Sequence, residues 1–585
     1  MATNEPASPP APVRREATAR ALIAGCGIGA LLAAGNVYTG LKTGFIDGGG
    51  ITAALIGFML FSRARGASRQ RYGVLENNIT QTTAASAAVM GFTLGLAGPI
   101  PALAMAGRTV PAWAIVAWGL AASALGIGTA VILRRKLIVA DDLPFPTGNA
   151  TGEVIETIQT TRATALRRGW LLAGTAAAAI VITWFRDGWP KIIPQTTALG
   201  GAAIAGISLA SLTLSIGWSP LLASVGGMIG PRGGVSLLLG AGLGYGVIAP
   251  RLVNAGIVRE AEFGALSAWL VWPALGLLLA GSFVPLLLDA GSVVRAFRDL
   301  GALARGGAVT PAATDASERP VASRVLATLF VTGLIALVMV GRAAFGIGPG
   351  IMLITVVIAL LLTNVSARAT GETDVAPVGA VGMLTQIVFA GAGTMTTLMT
   401  GGASLGASTQ ACQMLYSFRA GRRFGASPRA QVGAEILGAV LGAAVVVPTY
   451  LLVVKTYGLG TEVLPAGSAQ SWRALAEAIV GSTASLPPHA PLGGVIGLGL
   501  GVVLALGART RIARFLPSPA AMGMAMVMPG SNSVTIFIGA MAVLIARRFR
   551  PDLSDSTVLT VAAGGMAGES LMGVLIAALI AFGAL

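Results

Sequence analysis

Charge is what this sequence has least of. Only 11% of its 585 residues are Asp, Glu, Lys or Arg, where soluble domains carry roughly 25%. That share cannot cover a water-facing globular surface, so the chain belongs in a bilayer. Histidine is nearly absent as well. The single His489 stands in a Pro-flanked loop, LPPHAP, and reads as a surface residue rather than a metal ligand. The two cysteines, Cys26 and Cys412, lie in apolar surroundings and form no metal or redox motif. There is no HExxH, no GxSxG and no pair of histidines, which leaves a membrane-embedded enzyme without a nucleophile–base set or metal ligands. GLKTG at 40–44 lacks the GxxxxGK[ST] spacing of a phosphate-binding loop, and no polar stretch is long enough to be an ATP-binding motor. No cofactor is called for. The N-terminus lacks the apolar core of a signal peptide.

Apolar residues make up 55% of the chain, and 81 residues are glycine. Glycine is frequent where membrane helices pack closely or break. Apolar runs from 19–39 through 556–583 predict an all-α polytopic membrane protein of about 14–16 transmembrane helices. The runs 77–98, 196–216, 376–398 and 402–417 are each read as a span. The runs 218–250 and 518–546 are interrupted by Gly and Pro, so each is one broken helix or two short ones. The net charge of +16 is mostly arginine in short inter-span loops, which fits topology and anionic head groups better than nucleic acid. Arg134-Arg135-Lys136 and the segments 62–71, 418–429 and 508–514 then mark the cytoplasmic side. The polar, Pro-rich residues 1–18 form a disordered cytoplasmic tail, and 454–489 lies outside. A linker at 292–320 divides the chain into transmembrane halves 19–291 and 321–585. Faint echoes accompany this division, LKTG (41–44) with FRAG (418–421) and LPFP (143–146) with LPSP (516–519). Internal repeats are common in secondary transporters, with substrate near their interface.

Four stretches carry polar chemistry where spans should be apolar. NVYTGLKTGFIDGGG places Asn36, Tyr38, Lys42 and Asp47 just before three glycines. A triple glycine interrupts a helix, since each Gly costs about 1 kcal/mol against Ala, and the join reads as a loop or as a re-entrant segment lining a cavity. Lys42 can meet a carboxylate, pair with Asp47, or snorkel to the interface. ENNITQTTAAS puts Asn77 and Gln81 on one helical face with Thr80, beside Asn78 and Thr82. These amides line a pathway or bond neighbouring helices. DDLPFPTGNATGEVIE holds the chain extended through its prolines. It then offers Thr147 and Asn149 at the start of a short helix bearing Glu153 and Glu156, whose N-terminus suits an anion. Last come lone acids inside apolar runs, Glu569 and Glu435 above all. An intramembrane acid is by default a functional-site hypothesis.

Taken in order, NVYTGLKTGF, ENNITQTTAASA, DDLPFPTGNATGEVI, GASLGASTQACQMLYSFRAGRRFGASPRAQ, FLPSPAAMGMAMVMP and AGGMAGESLMGV resemble the oligopeptide transporter superfamily. The likeness is to its prokaryotic branch, with kinship to the plant yellow-stripe transporters, and covers about 20–583. The NPG motif of the fungal and plant peptide-transporter branch is absent. The resemblance implies a proton-coupled importer of small peptides, glutathione-like compounds or metal chelates, in a bacterial inner membrane with the N-terminus cytoplasmic. A homodimer is compatible with it. On chemistry, Asn36, Tyr38, Lys42, Asn77, Asn78, Gln81, Thr147 and Asn149 are the expected substrate contacts, and Glu569, with Glu435 or Glu153, the expected proton carriers. A passive channel shares the lining but needs no titrating acid.

Overall fold

A computed structural model describes residues 16–62, 72–160, 162–288, 321–374, 376–480 and 487–585, with positions 291 and 294 besides. The expected tail up to residue 15, the basic loop 63–71 and the linker 295–320 lie outside the described residues. The protein is all-α and polytopic. Among the described residues, eleven helices are long and apolar enough to cross a membrane, and two shorter apolar helices accompany them.

The first part of the chain holds α1 (Ala19–Thr43), α2 (Gly50–Ser62), α3 (Val74–Ala88), α4 (Met90–Thr93), α5 (Pro99–Met105), α6 (Ala112–Arg134), α7 (Pro146–Thr160), α8 (Arg162–Asp187), α9 (Pro220–Ala241), α10 (Ala249–Asn254) and α11 (Phe263–Leu288). Then follow α12 (Ser323–Phe345), α13 (Pro349–Thr373), α14 (Val378–Val388), α15 (Thr394–Arg422), α16 (Pro428–Tyr457), α17 (Gly467–Val480), α18 (Ala490–Gly507), α19 (Pro519–Met526), α20 (Gly530–Phe549) and α21 (Asp555–Ala581). Wide π-helical turns extend α6 to Ala140 and join α9 to α10.

The packing of the first part recurs in the second. α1 lies on α3 as α13 lies on α15, α2 on α3 as α14 on α15, and α8 on α21 as α18 on α11. α6 packs on α15, and its counterpart α16 packs on α3. α1 and α13 are both 25 residues long, and each ends at a residue of left-handed conformation, Gly44 (φ 76°) and Asp374 (φ 66°). The corresponding helices run in opposite senses. α6 ends at the cluster Arg134–Lys136, whereas α16 starts beside the end of α15 that carries Arg419 and Arg422. The short tetrapeptide echoes fall elsewhere: LKTG ends α1 and FRAG ends α15, which are not counterparts.

One expected span is absent. Residues 196–216 form short antiparallel pairs, Thr196–Ala198 with Ser215–Gly217 and Ala203–Ile204 with Ile207–Ser208. The inner turn has positive φ at both Ala205 (53°) and Gly206 (83°), the backbone of a two-residue hairpin turn. The run is apolar because of Ala, Leu and Ile, but its glycines and β-branched residues favour hairpins over a helix. The run 77–98 is likewise broken after Ala88, and the boundary between 376–398 and 402–417 moves to Gly391 and Gly393, both at positive φ. The run 218–250 is a helix broken at Gly230, whose backbone is non-helical (φ 74°, ψ −179°), ahead of Pro231, and 518–546 is two helices parted at 527–529.

Small residues set the closest crossing, between α9 and α20. A Cβ on Gly226 would stand 1.9 Å from the Ile536 carbonyl, and one on Gly539 would stand 2.0 Å from that of Ala223. Backbone thus meets backbone, the usual way to gain dispersion contact where lipid removes the hydrophobic drive between helices. The outer faces remain apolar, as at Leu492, Val495, Ile496 and Val503 of α18. Gly539→Ala is expected to cost about 1–3 kcal/mol through overpacking, read as a lower midpoint of thermal unfolding in detergent. Gly499→Ala, where an added Cβ meets nothing within 4 Å, should leave the midpoint unchanged.

Candidate functional site

The site begins where α1 stops. Gly44 turns the chain in the left-handed region, and residues 44–49 fold back so that Gly49 reaches the level of Leu32 and Ala88. Backbone freed from a helix inside a membrane needs internal partners, and side chains provide them. Asn36 Nδ2 donates to the carbonyls of Asp47 (2.7 Å) and Ala88 (2.9 Å). Asn36 Oδ1 accepts from the Asp47 N–H (3.2 Å). The Asp47 carboxylate accepts from the Gly49 N–H and the Thr52 hydroxyl, each at 2.9 Å, at the start of α2. α2 is therefore a half-helix that begins inside the protein.

Its first turn faces a cavity of about 200 Å³. Asp47, Gly48–Gly50, Gln81 of α3, Thr147 of α7, and Gln413 and Tyr416 of α15 contribute to the wall. Of the expected substrate residues, Gln81 and Thr147 line this space. Asn77 and Asn78 are fully buried next to it on α3, and neither side chain has a hydrogen-bond partner within the protein. The same is true of Gln81 Oε1 and the Thr82 hydroxyl. Leaving a buried polar group unpaired costs about 1–3 kcal/mol, so this stripe carries polar capacity that the protein itself does not use. Asn36 serves the chain break and touches a separate small cavity instead.

The arginine-rich end of the cavity is tied by α7. Asp374, from the end of α13, accepts from the Thr147 N–H (2.9 Å) and hydroxyl (2.7 Å). The anion at the α7 N-terminus is thus the chain's own. Asn149 donates to the Pro144 carbonyl and accepts from Arg419 Nε (3.0 Å). Arg419 and Arg422 both meet Asp142, and the Arg419 hydrogen bond holds that carboxyl below its usual range. Glu153 lies on the exposed face of α7, outside the cavity wall.

Lys42 and Tyr38 point elsewhere. Lys42 Nζ donates to Glu569 Oε1 (2.9 Å) and to the Tyr38 hydroxyl (3.2 Å). Glu569 also accepts from Arg186 Nη2 (3.0 Å), from the Ser219 hydroxyl (2.8 and 2.9 Å) and from the Leu221 N–H (2.8 Å) at the start of α9. Arg186 in turn pairs with Asp187 at 2.5 Å and donates to the Trp218 carbonyl at 2.7 Å. Two cations and two carboxylates therefore balance in one buried network joining α1, α8, α9 and α21. Ala563 of α21 lines the cavity, and Glu569 lies six residues further, about 9 Å along the helix. The network stands behind the cavity, away from the arginine-rich end.

Glu435 is placed differently. It is fully buried on α16 and receives one side-chain hydrogen bond, from Gln410 Nε2 to Oε1 (2.7 Å), while Oε2 has no partner. Gln410 also donates to Ser86 of α3 (2.9 Å), which donates to the Glu435 carbonyl (2.6 Å). Gln413, three residues from Gln410 on α15, lines the cavity, so Glu435's partner Gln410 is one helical turn from the cavity wall. Sequence reading missed Arg186, Asp187, Gln410, Gln413 and the cap by Asp374. Gln410 and Gln413 were visible as amides three apart in GASTQACQ, while the others look like ordinary charges at span ends.

The profile of the family described as OPT oligopeptide transporter protein matches residues 16–580. The chain belongs to this family. A Haemophilus influenzae protein with an oligopeptide-transporter name is 25% identical, aligned over 93% of this chain and 92% of its own. A Saccharomyces cerevisiae protein of similar name is 24% identical over 96% of both. The metal-nicotianamine transporter YSL2 of Arabidopsis thaliana is 22% identical over 96% of this chain and 93% of its own. These family members are named as transporters rather than enzymes, and this chain is a membrane transporter in the same sense.

The buried network yields a stability prediction. Glu569→Gln leaves Lys42 and Arg186 short of a counter-charge, which is expected to cost about 3–5 kcal/mol. Thermal unfolding of the purified protein should show it without any substrate. Lys42→Met combined with Glu569→Gln should be less destabilised than the sum of the single changes.

Proposed function

We propose that this protein is a proton-coupled secondary importer of a small peptide-like or metal-chelate solute, working by alternating access between two inverted halves, 19–291 and 321–585. The observation that carries the reading is the cavity at the α2 half-helix, walled by amides, hydroxyls and freed backbone. Discontinuous helices that meet at a repeat interface are how secondary transporters build their substrate sites. Gln81, Gln413, Thr147 and Tyr416 contact solute directly, and Asn77 and Asn78 complete the polar lining with water. Lys42 and Tyr38, held by Glu569, keep the far end of α1 in place rather than meeting solute. The names of the relatives support both peptides and metal chelates as cargo.

For the proton, Glu435 is favoured over Glu569 and Glu153. Glu569 has two cations and two further donors on its carboxylate, so a proton there would displace existing bonds. Glu435 has an open oxygen and a hydrogen bond from Gln410, which lies one helical turn from Gln413 of the cavity wall. The arginine-rich end faces the cytoplasm by the positive-inside rule, in a bacterial inner membrane with the N-terminus inside. Neither a resident cofactor nor a nucleic acid is involved, and lipid covers the outer faces.

Uptake into proteoliposomes under an imposed pH gradient tests this. Accumulation against a solute gradient is expected, and a passive facilitator would not produce it. Glu435→Gln should abolish gradient-driven accumulation while retaining solute exchange at equal concentrations. Coupled uptake that survives this substitution would remove Glu435 from the proton path.

A further inference from the structure

The recurrence of packing leaves the two halves unequal at one spot. In the first half, the trio at the cavity is Gly50, Gln81 and Thr151. A Cβ on Gly50 would lie 3.1 Å from the Thr151 hydroxyl and 3.4 Å from Gln81 Nε2. α17 is the counterpart of α7, and Trp472 occupies in α17 the sixth position that Thr151 holds in α7. Trp472 is 1% exposed and sits in a notch of three glycines. A Cβ on Gly382 of α14 would lie 2.4 Å from its Cη2, one on Gly401 of α15 2.9 Å from its Cζ3, and one on Gly98 3.2 Å from its Nε1. Gly401 holds the same place from the start of α15 that Gln81 holds from the start of α3. The space that is open at one end of the bundle is filled by an indole at the other.

The filled counterpart is not an apolar plug throughout. Gln386 of α14 is fully buried, and both its amide oxygen and amide nitrogen lack a hydrogen-bond partner. Its Cγ would lie 2.9 Å from a Cβ on Gly401, the same position that meets Trp472. The indole N–H of Trp118, near Gly402, is likewise buried without a partner. A pure packing element would not keep an unpaired amide in hydrocarbon at a cost of this kind.

We infer that Gln386, beside the side-chain-free Gly401–Gly402 face of α15, forms a second half-site for an amide-bearing, peptide-like solute, reached from the arginine-poor side when Trp472 leaves its glycine notch. The inference rests on the alternating-access reading above. In that cycle the structure has its arginine-rich side open and its opposite side shut by Trp472. The Gln386 amide offers one donor and one acceptor, the pairing a peptide group needs, and carries no charge that would demand a counter-ion.

Thiol labelling in proteoliposomes tests it. Cys26 and Cys412 are replaced by serine, Gln386→Cys is introduced, and a membrane-impermeant maleimide is applied from each side separately. With Trp472 present, position 386 should label slowly. Trp472→Ala should raise labelling from the arginine-poor side at least tenfold, and Gly382→Ala, which pushes the intact ring out of its notch, should do the same. Gln81→Cys in the cavity should label from the arginine-rich side and slow down in both variants. A folded Trp472→Ala or Gly382→Ala protein in which position 386 stays protected, or labels only from the arginine-rich side, overturns the inference. The labelling does not depend on transport. Faster labelling without solute uptake would leave the half-site standing and remove the importer reading, whereas normal uptake with position 386 protected would do the reverse.

Discussion

One buried carboxylate holds the geometry on which the rest depends. Glu569 collects Lys42, Arg186, Ser219 and the Leu221 N–H of α9 onto two oxygen atoms. Together with the Thr39–Ser570 hydrogen bond (2.6 Å), it fastens the end of α1 to α21 just before the chain reverses at residues 44–49. A charge in this position is tolerable only because it is paired and hydrogen-bonded throughout. The network is strict about partners, so it acts as a fixed point behind a cavity lined mainly by uncharged groups, with the Asp47 carboxylate in its wall.

That contrast separates two kinds of polar residue in the membrane. Asn36, Asp47 and Glu569 are saturated by the protein and serve its backbone or its charge balance. Asn77, Asn78, Gln386 and Glu435 keep open atoms. In a low-dielectric interior the first kind rigidifies, and the second leaves hydrogen-bonding capacity unused by the protein. Residue type does not distinguish them, since an asparagine stands in each group.

This explains how much was legible beforehand. The helical, polytopic character followed from apolar runs, and the break after Lys42 followed from the three glycines at 48–50. The polar helix α3 was visible because amides and threonines interrupt an apolar stretch. What stayed hidden depended on partners far apart in sequence. Arg186 reads as a flanking charge until Glu569, 383 positions later, folds against it. Asp374 reads as a span end until it caps α7, 227 positions away. The hairpins at 196–216 were missed because hydropathy counts Ala and Ile without regard to backbone angles, and there Ala205 and Gly206 decide the structure.

The elements at the two ends of the bundle are fastened by different physics. At the arginine-rich end, α7 is fastened by Asp374 and by the pairs Arg419–Asp142 and Arg423–Glu156, all in contact with water. Such surface pairs are worth about 0–1 kcal/mol each and weaken as salt rises. At the other end the fastening is an indole against glycine backbone, which dissolved ions do not touch. Ionic strength therefore loosens one mouth and leaves the other alone, so a change of salt is felt by this molecule as a direction.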